Sequence, residues 1–250
     1  MTTAQRRLEL WAEMFGPVSR SLLASMPPGP DLALDLGCAS GHTTRLLADT
    51  LRPRRCVGID TSAAHLQVAR MTAAQGIQFV EHDVTKVPFP TGPADLIYCR
   101  FLLPHLPDPL AAVHSWADQL RPGGRIVLDE VERIRGDEDD TGPVRRYLEM
   151  AGSLQERHGG HRPEVGALLG SATFPAPLRS ISNQLVTLRP PARIVGPMFL
   201  LNLKAWRRDP SMEDRAADLD RLQSELEAMA TSTAAAPIAW DLRQVALAAG

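Results

Sequence analysis

The chain has 250 residues, of which 44% are hydrophobic, and its formal net charge is -2 at pH 7. This length and composition allow a full buried core and fit one α/β domain that carries an insertion. The positively charged residues are dispersed, which argues against nucleic acid and anionic membrane partners and favours a small-molecule substrate.

The N-terminal segment is predicted to be a helix that ends at a proline-rich break. Apolar residues recur at helical spacing from Leu8 to Leu22, and the run stops at residues 27–30. Residues 1–30 are therefore predicted to form a helical lid in which Trp11 touches a ligand; the alternative is a helix that only packs on the sheet. No apolar run approaches the ~20 residues of a membrane span and no signal-peptide core is visible, so a cytoplasmic location is expected.

A glycine-containing turn joins the first predicted strand to the next helix. Its pattern is D-x-G-x-x-x-G, with Asp35 two residues before Gly37 and with Gly41 at the helix start. Glycine adopts backbone conformations closed to other residues and lets a ligand approach closely. A dinucleotide-binding turn would have glycine where Ala39 stands, so a nicotinamide cofactor is disfavoured.

Further motifs follow in a fixed order. Asp60 ends a second predicted strand, residues 82–84 follow a third, residues 94–99 form a fourth, and residues 120–128 form a fifth. Taken with the glycine turn, these motifs resemble the class I S-adenosylmethionine-dependent methyltransferases, most closely the ubiquinone/trans-aconitate-like and natural-product group.

The resemblance implies an α/β fold, with a Rossmann-like, doubly wound, seven-stranded mixed sheet whose last strand is antiparallel. It divides the chain into the N-terminal lid 1–30, a cofactor-binding core 31–130, a helical substrate cap 131–177 inserted after strand five, and the remainder of the core 178–250. Within this scheme strand five is expected to end at Asp129-Glu130, a capping box at residues 211–214 to open a helix, and residues 242–247 to form the last strand.

The resemblance also implies S-adenosylmethionine as cofactor, S-adenosylhomocysteine as product, and no metal. The expected cofactor-binding residues are Trp11, Asp35, Gly37, Cys38, Ala39, Gly41, Asp60, Thr61, Asp83, Val84 and Arg100. Asp35 would attract the ammonium directly or through water, Asp60 would accept the ribose hydroxyls, and Asp83 with the Val84 backbone would read the adenine. Arg100 would face the methionyl chain with its backbone or its side chain.

Two residues are predicted to be catalytic. His105 is a general base if the nucleophile is protonated, because its ordinary pKa is near neutrality; the alternative is that it caps the following helix. Glu130, or its neighbour Asp129, would orient a substrate hydroxyl or amine. In the cap, Tyr147 and Leu154 share an apolar helical face that is predicted to contact the acceptor, unless that face packs on the sheet edge.

The predicted function is transfer of a methyl group to an O, N or C centre of a small organic acceptor, with secondary metabolism as one setting. A non-methylating reaction on the same fold, a cyclisation or a decarboxylation, is the first alternative. A nicotinamide oxidoreductase and a binding or regulatory module are the others. The oligomeric state stays open between monomer and homodimer.

Overall fold

The fold is a mixed seven-stranded sheet with helices on both faces. The computed structural model describes residues 3–136, 142–158 and 164–250, and within them the strand order is β3-β2-β1-β4-β5-β7-β6. Strands β1 to β5 pair in parallel, and β7 lies antiparallel between β5 and β6. The predicted fold class is therefore confirmed. The strands are β1 Leu32–Leu36, β2 Arg55–Asp60, β3 Ile77–Glu81, β4 Ala94–Arg100, β5 Leu120–Arg135, β6 Leu178–Leu188 and β7 Ala239–Ala249.

Helices cover the sheet and close one end of it. The helices are α1 Thr3–Ala24, α2 His42–Leu51, α3 Ala63–Met71, α4 Pro109–Trp116, α5 Pro143–Arg157, α6 Gly166–Ser171, α7 Ala192–Trp206 and α8 Ala216–Thr231. Every residue of β1 is buried, as expected for a central parallel strand covered on both faces. The side chain of Ser62 caps α3 by accepting from the His65 backbone N–H.

Several predicted boundaries are wrong, and pairing partners far away in the sequence explain two of them. Strand β5 continues past Glu130 because the antiparallel strand β7 pairs with it as far as Arg135. Strand β7 is correspondingly longer than predicted, from Ala239 to Ala249. The box at residues 211–214 does not open a helix, because Asp209 caps a 3-10 turn there and α8 begins only at Ala216.

A second apolar cluster lies beside the carboxyl ends of the central strands. It joins α1, α5, α7 and α8 to the C-terminal half of β5 and the N-terminal half of β7. The Trp11 ring lies 5.1 Å from that of Phe15, 5.2 Å from that of Phe101 and 5.6 Å from that of Trp240, measured between ring centroids. Helix α1 therefore packs on the sheet and borders the site at the same time. Gly159, Gly160 and Pro163, a sequence pattern that favours a hinge in the cap, lie outside the described residues.

Candidate functional site

A cavity of about 590 Å³ lies between the carboxyl ends of the central strands and the helices α1, α5 and α7. This is where open α/β sheets bind ligands. The predicted residues that line it are Trp11, Gly37, Cys38, Ala39, Asp60, Thr61, Arg100, His105, Glu130, Tyr147 and Leu154. Asp35, Gly41, Asp83 and Val84 are not part of its lining. The fold thus brings most of the predicted residues to one cavity.

In the turn after β1 every second residue has a positive φ angle, and Asp60 is hydrogen-bonded to this turn. Gly37, Ala39 and Gly41 all have positive φ angles, of 69°, 45° and 79°. One carboxylate oxygen of Asp60 accepts from the Ala39 backbone N–H at 2.9 Å, and the other accepts from the Ser62 backbone N–H at 2.8 Å. The Asp60 carboxylate therefore links the ends of β1 and β2 while it faces the cavity.

Asp35 lies beneath this turn and is 1% exposed. Its Oδ2 accepts from the hydroxyls of Thr43 and Thr44, each at 2.6 Å. Burial outweighs these two hydrogen bonds and raises the pKa of Asp35 to about 6. Its buried Oδ1 has no partner among the described residues. Contact with a ligand ammonium, directly or through water, stays a prediction.

Asp83 and Val84 lie at the carboxyl end of β3, outside the cavity lining. Asp83 accepts from the backbone N–H and the hydroxyl of Thr85, and these bonds lower its pKa. The buried Val84 offers its carbonyl oxygen to the indole N–H of Trp116 at 2.9 Å. Both residues have local structural partners, and their part in reading an adenine stays a prediction.

Asp129 is the centre of a buried hydrogen-bond network that the sequence does not reveal. Its Oδ2 accepts from the Ser19 hydroxyl at 2.6 Å and from the Tyr98 hydroxyl at 3.2 Å, and its Oδ1 accepts from the Gln244 amide at 3.1 Å. Arg100 donates to the Ser19 oxygen at 3.1 Å. Asp129 is fully buried and does not line the cavity, so the alternative that it orients a substrate is wrong. It connects α1 to the sheet instead.

Glu130, on the opposite face of β5, does line the cavity. Its Oε1 accepts from the backbone N–H groups of Leu102 and Leu103, at 3.0 and 3.1 Å. Its buried Oε2 has no partner among the described residues. Burial raises the pKa of Glu130 to about 8, against the lowering effect of the two N–H donors. Near pH 7 the side chain is therefore a neutral acid that can donate a hydrogen bond.

His105 ends the 3-10 turn Leu103–His105 that follows β4, and it lines the cavity with an exposed side chain. Partial desolvation, followed by the nearby charge of Arg7, lowers its pKa. The imidazole is thus neutral near pH 7 and can accept a proton. The helix that follows is capped by Asp108, which accepts from the Ala111 N–H at 3.0 Å, so the alternative that His105 caps it is wrong.

Helices α5 and α7 form the wall opposite the strand ends. The Tyr147 ring stacks on Phe199 at 3.8 Å and on Trp206 at 5.0 Å between centroids. The Tyr147 hydroxyl accepts from the Asn202 amide, and the Asn202 oxygen accepts from Arg7 at 3.0 Å. Tyr147 and Leu154 thus lie in the cavity wall, whereas their contact with an acceptor stays a prediction.

Comparison with known proteins agrees with this geometry. Residues 34–128 of the chain match the model of a methyltransferase domain. Over these residues the chain is similar to a methyltransferase domain. The resemblance predicted from the sequence is confirmed. The matched span begins within β1, includes the glycine turn and ends at Leu128 within β5, so it contains the carboxyl ends of β1, β2 and β4, which border the cavity.

Relatives of the methyltransferase domain include a trans-aconitate 2-methyltransferase of Azoarcus sp. (strain BH72), 33% identical over 111 residues, which are 44% of this chain and 43% of that protein. The chain therefore spans less than half the length of this relative. Coclaurine N-methyltransferase, solved with N-methylheliamine and SAH, has a TM-score of 0.57 at 16% identity and covers 93% of this chain and 72% of its own. The [4+2]-cyclase SpnF has a TM-score of 0.51 at 18% identity, over 91% and 79%. At these identities the two structures show the shared fold.

Outside the methyltransferase domain, the cavity contains residues that the sequence analysis missed. They include Arg7, Gln155, Asn202, Trp206 and Trp240. Arg7 had a local signal, because it lies four residues before Trp11 and so on the same helix face. The others stand on elements whose position in the fold depends on long-range packing. The described residues contain no group of three or more His, Cys, Asp or Glu side chains placed to hold a metal, and no helix among them could span a membrane.

Gly41 of the methyltransferase domain is expected to be intolerant of a side chain. A Cβ atom there would lie 2.6 Å from the Phe79 ring, in addition to the strain at φ 79°. Gly41→Ala is expected to lower the free energy of unfolding by about 2–4 kcal/mol, measured by urea titration. Gly92→Ala is the matched control, because Gly92 has φ 80° and open space around it; it should cost about 1 kcal/mol. Equal losses in the two variants would contradict the predicted clash.

Proposed function

We propose that the chain transfers the methyl group of S-adenosylmethionine to an O, N or C centre of a small organic acceptor. The observation that carries this proposal is one cavity that joins the motif residues of the methyltransferase domain to the apolar wall formed by α5 and α7. Secondary metabolism is a setting that this activity would fit.

Unpartnered polar atoms support a ligand with several polar groups. Buried oxygens of Asp35, Ser40 and Glu130 have no hydrogen-bond partner among the described residues, and Ser40 and Glu130 line the cavity. Buried polar groups are usually satisfied, so an unpaired set at one place indicates atoms supplied by a ligand. S-adenosylmethionine, with an ammonium, a carboxylate and a ribose diol, fits this donor and acceptor set. When bound, it supplies an electrophilic methyl group on sulfur.

Different residues of the cavity would bind different parts of the cofactor and the acceptor. The Asp60 carboxylate would accept the ribose hydroxyls, and Arg100 and Asp35 would serve the methionyl carboxylate and ammonium. Cys38 and Thr61 would line the cofactor, and Trp11 would help to exclude water. Tyr147 and Leu154 would contact the acceptor. Residues 1–30 would act as lid, 31–130 as cofactor core, 131–177 as cap and 178–250 as the rest of the core, with the correction that β5 reaches into the cap as far as Arg135.

Two side chains of the cavity would act on the acceptor. A neutral His105 would take the proton from a protonated nucleophile, and a neutral Glu130 would hold an acceptor oxygen by donating a hydrogen bond. Held in this way, an acceptor gains from orientation and from the exclusion of water without a further catalytic group.

The alternative function is a non-methylating reaction, a cyclisation or a decarboxylation. It is favoured by the structural likeness to the [4+2]-cyclase SpnF. The two functions differ in their product, because only methyl transfer consumes S-adenosylmethionine. Stoichiometric formation of S-adenosylhomocysteine during turnover supports methyl transfer, and turnover without it supports the alternative.

Cofactor binding is expected to depend on Asp60. Asp60→Ala should weaken the binding of S-adenosylhomocysteine by about 2–3 kcal/mol in calorimetry, because charge-assisted hydrogen bonds are lost. Glu81→Ala is the matched control: Glu81 is an exposed carboxylate at the paired position of β3 and does not line the cavity. Unchanged affinity in Asp60→Ala, or an equal loss in both variants, would refute the assignment.

A further inference from the structure

The cap side of the cavity contains a cation that has no counter-ion in the described part of the chain. Arg7 is partly buried on α1 and lines the cavity, where its Nη1 donates to the amide oxygen of Asn202. No carboxylate among the described residues forms an ion pair with Arg7. Its neighbour Arg6 is exposed, is not part of the cavity lining, and pairs with Glu9 at 3.2 Å and Glu13 at 3.8 Å. A partly desolvated guanidinium is stabilised by an anion, and a carboxylate suits its planar fork.

Two arginines serve different ends of the cavity. Arg7 is connected through Asn202 to Tyr147, so it belongs to the wall formed by α5 and α7. Arg100 instead contacts Ser19, and its charge acts on the buried Asp35 beneath the glycine turn. Arg100 is therefore placed for the cofactor end. Arg7 is placed for whatever lies against the cap.

The two acidic side chains in the cavity lining, Asp60 and Glu130, form no ion pair with Arg7. Glu130 lines the cavity, but its raised pKa of about 8 keeps it uncharged near pH 7. Asp60 faces the cavity from the cofactor end, where its two oxygens already accept backbone N–H groups. None of the carboxylates among the described residues supplies the counter-charge for Arg7, so an anionic ligand would be stabilised beside it.

Two further buried polar atoms without partners indicate which polar groups a ligand of this cavity would need. The indole N–H of Trp240 and the side-chain oxygen of Gln155 are buried without partners among the described residues, and both residues line the cavity. The rings of Trp11, Tyr147 and Trp206 line the same wall. A ligand that satisfies this wall needs an apolar, planar body, one oxygen or nitrogen acceptor and one O–H or N–H donor.

We propose that the methyl acceptor is a planar hydroxylated or aminated carboxylic acid, with its carboxylate bound by Arg7 and its body against the aromatic wall. This inference rests on the proposed function and deepens it by naming the acceptor class. The carboxylate accepts from the guanidinium, and the hydroxyl or amine donates to Gln155.

Calorimetry on the complex with S-adenosylhomocysteine tests the carboxylate. The probes are 6-hydroxy-2-naphthoate and its neutral amide, 6-hydroxy-2-naphthamide. The native protein should bind the acid at least about tenfold more tightly than the amide, because the charge-assisted pair is lost in the amide. Arg7→Gln should remove this preference, Arg7→Lys should retain part of it, and the control Arg6→Gln should leave it unchanged. Equal affinity for acid and amide in the native protein, or no binding of the acid, rejects the inference.

A second comparison distinguishes the acceptor from the cofactor. Arg7→Gln should leave the affinity for S-adenosylhomocysteine within about twofold of native. If this affinity falls tenfold while 5′-methylthioadenosine, which lacks the carboxylate, binds as before, Arg7 holds the cofactor and the inference is rejected. Failure of the native protein to bind S-adenosylhomocysteine would reject the proposed function itself.

Discussion

His105→Ala is expected to lower turnover by about 10²-fold while the affinity for S-adenosylhomocysteine stays near native. The loss is that of a general base from a step that it controls. Since the pKa of His105 is lowered from its ordinary value of 6.5, the native rate should rise with pH below 6.5 and level off above it. This acidic limb should disappear in the variant. Initial rates of S-adenosylhomocysteine formation between pH 5 and 8 provide the measurement.

His114→Ala is the matched control for this experiment. His114 lies on the exposed side of α4 and is not part of the cavity lining. Its removal should leave both the rate and its pH profile unchanged. Full turnover of His105→Ala across the whole range would show that the nucleophile needs no base, and catalysis would then rest on orientation alone.

The part of the site at the carboxyl ends of β1 and β2 was predictable from sequence because its determinants are local. Asp35, Gly37 and Gly41 stand at fixed spacing around one turn, and Asp60 ends the next strand. In a parallel sheet the carboxyl ends of neighbouring strands meet at one edge, so order along the chain predicts proximity. The same reasoning placed His105 beside the cavity, because it follows the end of β4.

The part of the site beside α1, α5 and α7 was less predictable because its determinants are distant in sequence. Asp129 and Glu130 are adjacent and chemically alike, yet one is bonded to Ser19 and Gln244 and the other faces the cavity. Successive side chains of a strand point to opposite faces of the sheet, so Asp129 and Glu130 must lie on different faces. Which of the two faces borders the cavity depends on where α1 packs. The position of Arg7 in the cavity likewise depends on a distant residue, because its guanidinium donates to Asn202, which is far along the chain.

Glu130→Gln is expected to change how stability depends on pH. In the native protein the pKa of Glu130 is about 8, against an ordinary value of 4.5. The folded state therefore keeps a proton that the unfolded chain releases, and the free energy of unfolding falls as pH rises from 4.5 to about 8. Asp35, with a pKa of about 6 against 3.8, acts in the same direction at lower pH in both proteins. Because both proteins contain Asp35, its contribution cancels when their free energies of unfolding are subtracted. Above pH 6 this difference therefore reports the titration of Glu130.

Glutamine preserves the shape of Glu130, the acceptor for the Leu102 and Leu103 N–H groups, and a neutral donor. Each pH unit in this range is worth about 1.4 kcal/mol. This slope falls to half as the pH reaches the pKa of about 8. From pH 6 to pH 8 the variant should therefore gain about 2 kcal/mol of stability relative to native, measured by urea unfolding at both pH values. Glu81→Gln, at an exposed carboxylate, should follow the native profile. If the difference between Glu130→Gln and native is the same at pH 6 and pH 8, Glu130 is not protonated at neutrality, and its assignment as a hydrogen-bond donor to the acceptor is wrong.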